Sequence, residues 1–293
     1  MRLDKLTTGA FDLFAKLECI QPGGSVKDRA AYQIISDAYE AGKLKRGQLV
    51  VEMTSGNMGA GLAVVCGQFG NPFVAVMSKG NSTERIQILR AMGAKVILTD
   101  QVDGRKGKVT GKDIEYASRV AAQLAREKNG FYVDQFNNPS GVKAHFETTG
   151  PEILSDLRDL DAFVASVGSG GTFVGTSRYL KMKNAAIRCI AVEPENAAIL
   201  KTGKVLDPRH IIQGTGYGLV PPHWDSKLAD DIVTVSDQEA TAMTKRIWAE
   251  QGLYVGYSSG ANVAAAIRYA SENKGIMKIV TILCDSGYKY PPH

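Results

Sequence analysis

Apolar residues along this chain fall into short blocks separated by polar, glycine-marked loops, and two kinds of block alternate. The runs at 48–52, 73–77, 95–99, 162–167, 188–192, 231–235 and 278–283 are too short for buried helices and read as strands. Between them, the segments 30–41, 60–69, 82–92, 112–128, 173–183, 237–251 and 259–273 place apolar residues near helical spacing. Residues 11–20 alternate imperfectly and are bounded by glycine and proline, which makes them a further strand, and 131–134 reads as a short strand closing the first half. Strand followed by helix, repeated, is the signature of an α/β protein built on open parallel sheets. A turn at 137–141 marks a crossover, dividing the chain into a smaller domain, 21–138, and a larger one made of 1–20 and 139–293.

In open parallel sheets, ligands bind beyond the carboxyl ends of strands, which singles out the glycine-marked loops. Thr54-Ser55-Gly56-Asn57-Met58-Gly59 joins the strand at 48–52 to the helix at 60–69. Its amide and hydroxyl donors suit a carboxylate. Gly168-Ser169-Gly170-Gly171-Thr172 lies between the strand at 162–167 and the next helix, where backbone N–H groups and the positive helix end suit a phosphate. Gly168, Gly170 and Gly175, with Glu193 ending the following strand, also resemble a dinucleotide fingerprint, although their spacing departs from it. A phosphate cofactor, a dinucleotide and mere close packing all remain open for this loop.

A further loop, Pro22-Gly23-Gly24-Ser25-Val26-Lys27-Asp28-Arg29, sets one lysine on the opening turn of a helix. Near the positive end of a helix dipole, and partly desolvated, an amine has its ammonium form disfavoured. That is the requirement of a Schiff-base lysine. Alone, a lysine beside Asp28 and Arg29 is equally a solvated charged face.

Composition narrows the field. With 293 residues, 44% hydrophobic and 22% charged, the chain is an ordinary globular protein able to bury a large core. Its net charge of +5 is spread without a basic block, which gives only weak support for a nucleic-acid partner and serves small anionic ligands as well. Cys19, Cys66, Cys189 and Cys284 are far apart and form no Cys-x-x-Cys pair, the usage of free thiols in a reducing compartment. His145, His210, His223 and His293 lack zinc-site spacing, so no metal is expected. The first residues lack the apolar run of a signal peptide and no segment is long and apolar enough for a membrane span, so the expected location is the cytoplasm.

Taken together, the lysine loop, Thr54-Ser55-Gly56-Asn57, Asn138-Pro139 with Thr148-Thr149-Gly150-Pro151-Glu152-Ile153, the loop 168–172, and Asp285-Ser286-Gly287 follow a familiar order. It resembles that of the cysteine synthase and cystathionine β-synthase family, fold type II pyridoxal-phosphate enzymes, from about Leu3 to Tyr290. The resemblance implies two open, twisted, mostly parallel sheets flanked by helices, as in the tryptophan synthase β-subunit. It implies that Lys27 binds pyridoxal 5'-phosphate covalently, that Asn57 meets the cofactor's phenolic oxygen, and that Gly168, Ser169, Gly170, Gly171 and Thr172 hold its phosphate. Ser286 would meet the pyridine nitrogen, with Asp285 the alternative one position away. A hydroxyl there leaves the ring a weaker electron sink, which favours prompt loss of a β-leaving group.

The same resemblance assigns Thr54, Ser55, Gly56, Asn57, Met58 and Gln135 to the substrate carboxylate, and Gly214 and Tyr217 to the neighbourhood of the second substrate. It makes the smaller domain the mobile, substrate-loop one, the larger the cofactor-phosphate one, and the protein a homodimer. The implied reaction is β-replacement through an aminoacrylate, with O-acetylserine or a related activated serine and sulfide giving cysteine. Condensation of serine with homocysteine and β-elimination are the alternatives, and a non-catalytic dinucleotide-binding protein is a distant one. Gln21, Met58 and Tyr217 depart from the common family pattern, Met58 by removing a hydroxyl and Tyr217 toward the cystathionine β-synthase version. The Gly-x-Thr-Pro-Leu segment usual before the position of Leu3 is also missing.

Overall fold

A computed structural model of the protein describes residues 1–107 and 109–290; His293 lies outside them. The chain folds as two compact units, one of residues 21–141 and one of residues 1–20 with 142 onward.

The unit 21–141 is a four-stranded sheet in the order β4-β3-β2-β5, made of β2 (Val50–Met53), β3 (Phe73–Ser78), β4 (Lys95–Thr99) and β5 (Phe131–Tyr132). All its pairings are parallel. Its helices are α1 (Lys27–Glu40), α2 (Asn57–Phe69), α3 (Thr83–Ala91) and α4 (Gly111–Glu127). Strand β3 is buried along its whole length, as expected of a strand covered on both faces. One face packs Val50, Ala75 and Met77 against Ile34 and Ile35 of α1 and Leu62 of α2. The other packs Val51, Val74 and Val76 against the alanine stripe Ala117, Ala121 and Ala125 of α4. Helix α4 starts where Thr110 and Asp113 form a reciprocal capping box. Helices α1 and α2 run close together because Gly61 has no side chain: a Cβ there would sit 3.1 Å from the α-carbon of Asp28.

The other unit holds a five-stranded parallel sheet in the order β1-β9-β6-β7-β8. Its strands are β1 (Asp12–Leu17), β6 (Ala162–Ser166), β7 (Arg188–Pro194), β8 (Asp231–Val235) and β9 (Lys278–Leu283). Its helices are α5 (Ser140–Ala144), which opens at the unit boundary, α6 (Gly150–Asp156), α7 (Gly171–Lys183), α8 (Ile199–Thr202), α9 (Asp237–Gln251) and α10 (Tyr257–Glu272). The core joins Leu13, Val164, Ile190, Val235 and Ile279 to Val263, Ala266 and Tyr269 of α10. Each fully buried aliphatic side chain of this kind contributes roughly 1.5–3 kcal/mol.

Three departures from the pattern reading have local causes. The strand at 11–20 stops at Leu17, opposite Leu283 where the neighbouring strand β9 ends, and continues as a 3-10 turn, Glu18–Ile20. Strand β5 is two residues long because Asp134 takes φ +52, which breaks the extended backbone. Residues 140–156 form one helical stretch in which a π turn, His145–Thr149, joins α5 to α6, with Pro151 tolerated in the first turn of α6. Among the described residues no helix is long and apolar enough to cross a membrane, and the four cysteines form no disulfide.

Candidate active site

In the unit 21–141, the neighbouring parallel strands β2 and β5 deliver two expected segments at their carboxyl ends. Thr54 is buried, and its Oγ1 accepts a hydrogen bond from the Gly59 N–H at 3.0 Å, tying the strand end to the first turn of α2. Ser55 is half-buried, Gly56 exposed, and Asn57 is the first residue of α2, half-buried, at the positive end of the helix. Met58 departs from this company. Only 3% exposed, it packs into the core with Leu62, Met77 and Leu89, so its side chain does not face the loop surface. After β5, Gln135 Nε2 lies 3.4 Å from both Glu52 Oε1 and the Met53 carbonyl oxygen. Burial pushes the Glu52 carboxyl up to about 8, helped by the charge of Asp134 and opposed by the backbone N–H groups of Gln135 and Asp134.

Lys27 is the first residue of α1 and is half-buried. Ahead of it the chain folds back tightly: Gly24, at φ +74, donates its N–H to the Gln21 carbonyl at 2.7 Å, and the Gly23 N–H donates to the Asp28 carboxylate. A Cβ on Gly23 would lie 2.6 Å from that carboxylate. Asp28 is only 7% exposed, so it braces the glycine turn against the helix and is not part of a solvated charged face.

In the other unit, the neighbouring strands β6 and β9 likewise end at expected segments. The loop after β6 is built to bring backbone close. A Cβ on Gly168 would lie 2.1 Å from the Gly214 carbonyl oxygen, and Gly170, which caps α7, has φ +90. Ser169 is buried; Gly171 opens α7 and Thr172 follows, half-buried. Behind the loop stands His145, 1% exposed, with Nε2 3.2 Å from Thr172 Oγ1 and Nδ1 2.9 Å from Thr149 Oγ1. The Gly214–Gly218 segment folds back onto the same strand end, with the Gly216 N–H on the Val167 carbonyl at 3.4 Å and Tyr217 39% exposed. After β9, Asp285 is buried and accepts a hydrogen bond from the Tyr290 hydroxyl at 2.5 Å. Ser286 is half-buried, pairs by backbone with Val255, and accepts the Tyr288 N–H at 3.3 Å.

This geometry speaks against a dinucleotide at the 168–172 loop. The Glu193 carboxylate, the acid a dinucleotide site would turn to a ribose, instead accepts the N–H groups of Leu200 and Lys201 at 3.0–3.1 Å, capping α8. Gly175 is explained by packing, since a Cβ there would lie 2.2 Å from the Val142 carbonyl oxygen. What remains is a compact backbone cradle at the start of a 13-residue helix, and it fits a single phosphate. Residues 1–285 match the family described as "Pyridoxal-phosphate dependent enzyme".

The chain belongs to the pyridoxal-phosphate-dependent enzymes. It is 38% identical to a cysteine synthase of Staphylococcus aureus over 283 residues, 96% of this chain and 88% of that protein. Among solved structures it matches a hydrogen sulfide-producing enzyme from Fusobacterium nucleatum at 37% identity and TM-score 0.90, covering 99% of this chain and 94% of the other. It also matches an O-acetylserine dependent cystathionine β-synthase from Helicobacter pylori at 36% identity and TM-score 0.89, covering 99% and 92%. The fold is fold type II.

Two groups in the enzyme escaped the pattern reading. Glu52 carried a signal, being the one charged residue in an otherwise apolar strand, Val50–Met53. His145 carried a weaker one, a hydroxyl residue four positions on at Thr149; the scattered histidines had been weighed only as metal ligands. Among the described residues no cluster of His, Cys, Asp and Glu side chains is suited to a metal ion.

Proposed function

We propose that the enzyme catalyses β-replacement on an activated serine, with O-acetylserine and sulfide giving cysteine and acetate. The observation that carries this reading is the pair of strand-end segments in one unit. The Thr54–Asn57 loop opens α2 beside Gln135, which provides hydroxyl, amide and helix-end donors suited to an amino-acid carboxylate. Similarity to the S. aureus cysteine synthase supports the choice of reaction.

When bound, the cofactor supplies the electron sink that acidifies the α-carbon. Lys27 would be the residue that holds it covalently, and the Lys27 amine would take the substrate's α-proton and return it. In the balance, the Cβ–O bond to acetate breaks, a Cβ–S bond forms, and hydrosulfide provides the sulfur. Asn57 would hold the cofactor's phenolic oxygen, Gly168 to Thr172 its phosphate, and Ser286 its pyridine nitrogen, with Asp285 held to Tyr290. Thr54, Ser55, Gly56, Asn57 and Gln135 take the substrate carboxylate. Met58 serves the site by packing under the loop, and Gly214 and Tyr217 border the second substrate. The unit 21–141 acts as the substrate-loop unit and its companion as the cofactor-phosphate unit, in a cytoplasmic homodimer.

Tyr217 favours one second reading. Its exposed phenol can receive a larger thiol, and the matched H. pylori protein is named for cystathionine synthesis. A matrix of O-acetylserine, O-phosphoserine, serine and cysteine against sulfide, homocysteine and water separates the possibilities. Fastest turnover of O-acetylserine with sulfide, with ping-pong kinetics, is expected. Serine with homocysteine as the best pair, abolished by Tyr217→Ala, establishes the second reading, and release of pyruvate without thiol establishes elimination.

A further inference from the structure

We infer that Glu52 is a positioning residue for the substrate carboxylate: buried beneath the Thr54–Asn57 loop, it meets the Gln135 side chain and orients it. The inference rests on the reading that this loop and Gln135 bind an amino-acid carboxylate.

The geometry is unusual for a strand interior. Glu52 is 1% exposed, at the penultimate position of β2, on the face that Val50 lends to the apolar core. Packing alone asks for another Val or Leu there. Instead the carboxyl reaches the segment after β5, with Oε1 3.4 Å from Gln135 Nε2 and the backbone N–H groups of Asp134 and Gln135 beside it. Oε2 has no hydrogen-bond partner among the described residues. Asp134 is one of only two non-glycine residues at positive φ among the described residues. A left-handed backbone at a non-glycine residue persists where its surroundings over-determine it: Asn137 and Asn138 donate their backbone N–H groups to the Asp134 carbonyl at 3.0 and 2.8 Å, and Glu52 meets the same turn through the Gln135 side chain. That contact sets the direction of the Gln135 side chain.

Charge gives the arrangement its second consequence. The ionisable groups whose charge couples to Glu52 are Asp134, on the turn after β5, and Tyr132, on the opposite face of β5, whose phenol burial and Glu52 together push up to about 12. Neither offers a cation, and β3 alongside carries no ionisable side chain. Desolvation therefore keeps the Glu52 carboxyl neutral up to about pH 8. Above that it ionises, competes for the Gln135 amide, and repels a carboxylate bound one residue beyond β2.

The test uses the holoenzyme and titrates L-serine and L-serinamide, which lacks the carboxylate, from about pH 6.5 to 9.5, following the cofactor absorption band. After correction for each ligand's own amine ionisation, serine affinity should fall about tenfold across pH 8 while serinamide affinity holds. In Glu52→Gln the serine curve should lose that fall. Parallel curves for the two ligands in the unmodified enzyme, a comparison that needs no variant, overturn the inference and leave the proposed reaction standing. A fall that persists in Glu52→Gln overturns it too. A cofactor band that answers to no amino acid at any pH removes the proposed reaction and this inference with it.

Discussion

The loops opening α2 and α7 follow the same plan, a parallel strand running into a glycine-bearing turn and then a helix, yet they are built on opposite principles. At Gly168 a Cβ would overlap the Gly214 carbonyl at 2.1 Å, and Gly170 sits at φ +90. At Gly56 a Cβ would meet nothing within 4 Å, and φ is −148, outside the left-handed region. The loop before α7 therefore holds its backbone at close quarters, with no room for a side chain at Gly168. The loop before α2 presents the side chains of Ser55 and Asn57 on an open turn, with Thr54, Met58 and Glu52 packed beneath. A backbone cradle suits a phosphate that never changes. A side-chain loop suits a substrate that must enter and leave.

Substitutions break this contrast in a predictable order. Gly168→Val should cost roughly a thousandfold or more in equilibrium affinity for pyridoxal phosphate, since the loop must move to admit the side chain. Gly170→Val, whose Cβ would lie 3.2 Å from the His223 Cβ, should cost about thirtyfold. Fluorescence titration of the apoenzyme reads both, and unchanged affinity in Gly168→Val would refute the cradle.

The brace under the other loop should be visible in stability. A carboxyl raised from 4.5 to about 8 in the folded enzyme stabilises fully below the unfolded value, and that contribution is lost as pH rises toward 8. Between those limits, the unmodified enzyme should lose on the order of 5 kcal/mol relative to Glu52→Gln, as measured by urea unfolding at several pH values. Met58→Thr, which restores the residue common in the resembling family, should cost about 2 kcal/mol, because a core side chain is shortened and a hydroxyl buried. Its effect on substrate affinity should be smaller than its effect on unfolding. Gly56→Ala should be the mildest, within about 0.5 kcal/mol in stability and about twofold in amino-acid affinity.

What the chain's pattern revealed, and what it hid, follows the range of the interactions. Strands β4, β8 and β9 and helix α9 end where local periodicity and caps end, such as Ser236 with Glu239 at the start of α9. The phosphate and lysine loops were legible because glycine clusters next to a strand have few uses. Long-range causes were hidden. The helical stretch 140–156 carries Gly141, Gly150 and Pro151, which read locally as breakers, and is fixed by packing on α7 at Gly175. Met58 read as a loop residue because its position matched a motif, whereas its burial depends on Leu89 and Met77 from other elements. Glu52 meets Gln135 across 83 positions of sequence, a contact no window of the chain contains.

The central claim is that Lys27, at the head of α1, carries the cofactor. Borohydride reduction of the purified yellow protein, followed by peptide mapping, tests it most directly. A single pyridoxyl group on the peptide containing Lys27 is the predicted result, and a cofactor fixed to any other lysine, or to none, would contradict it.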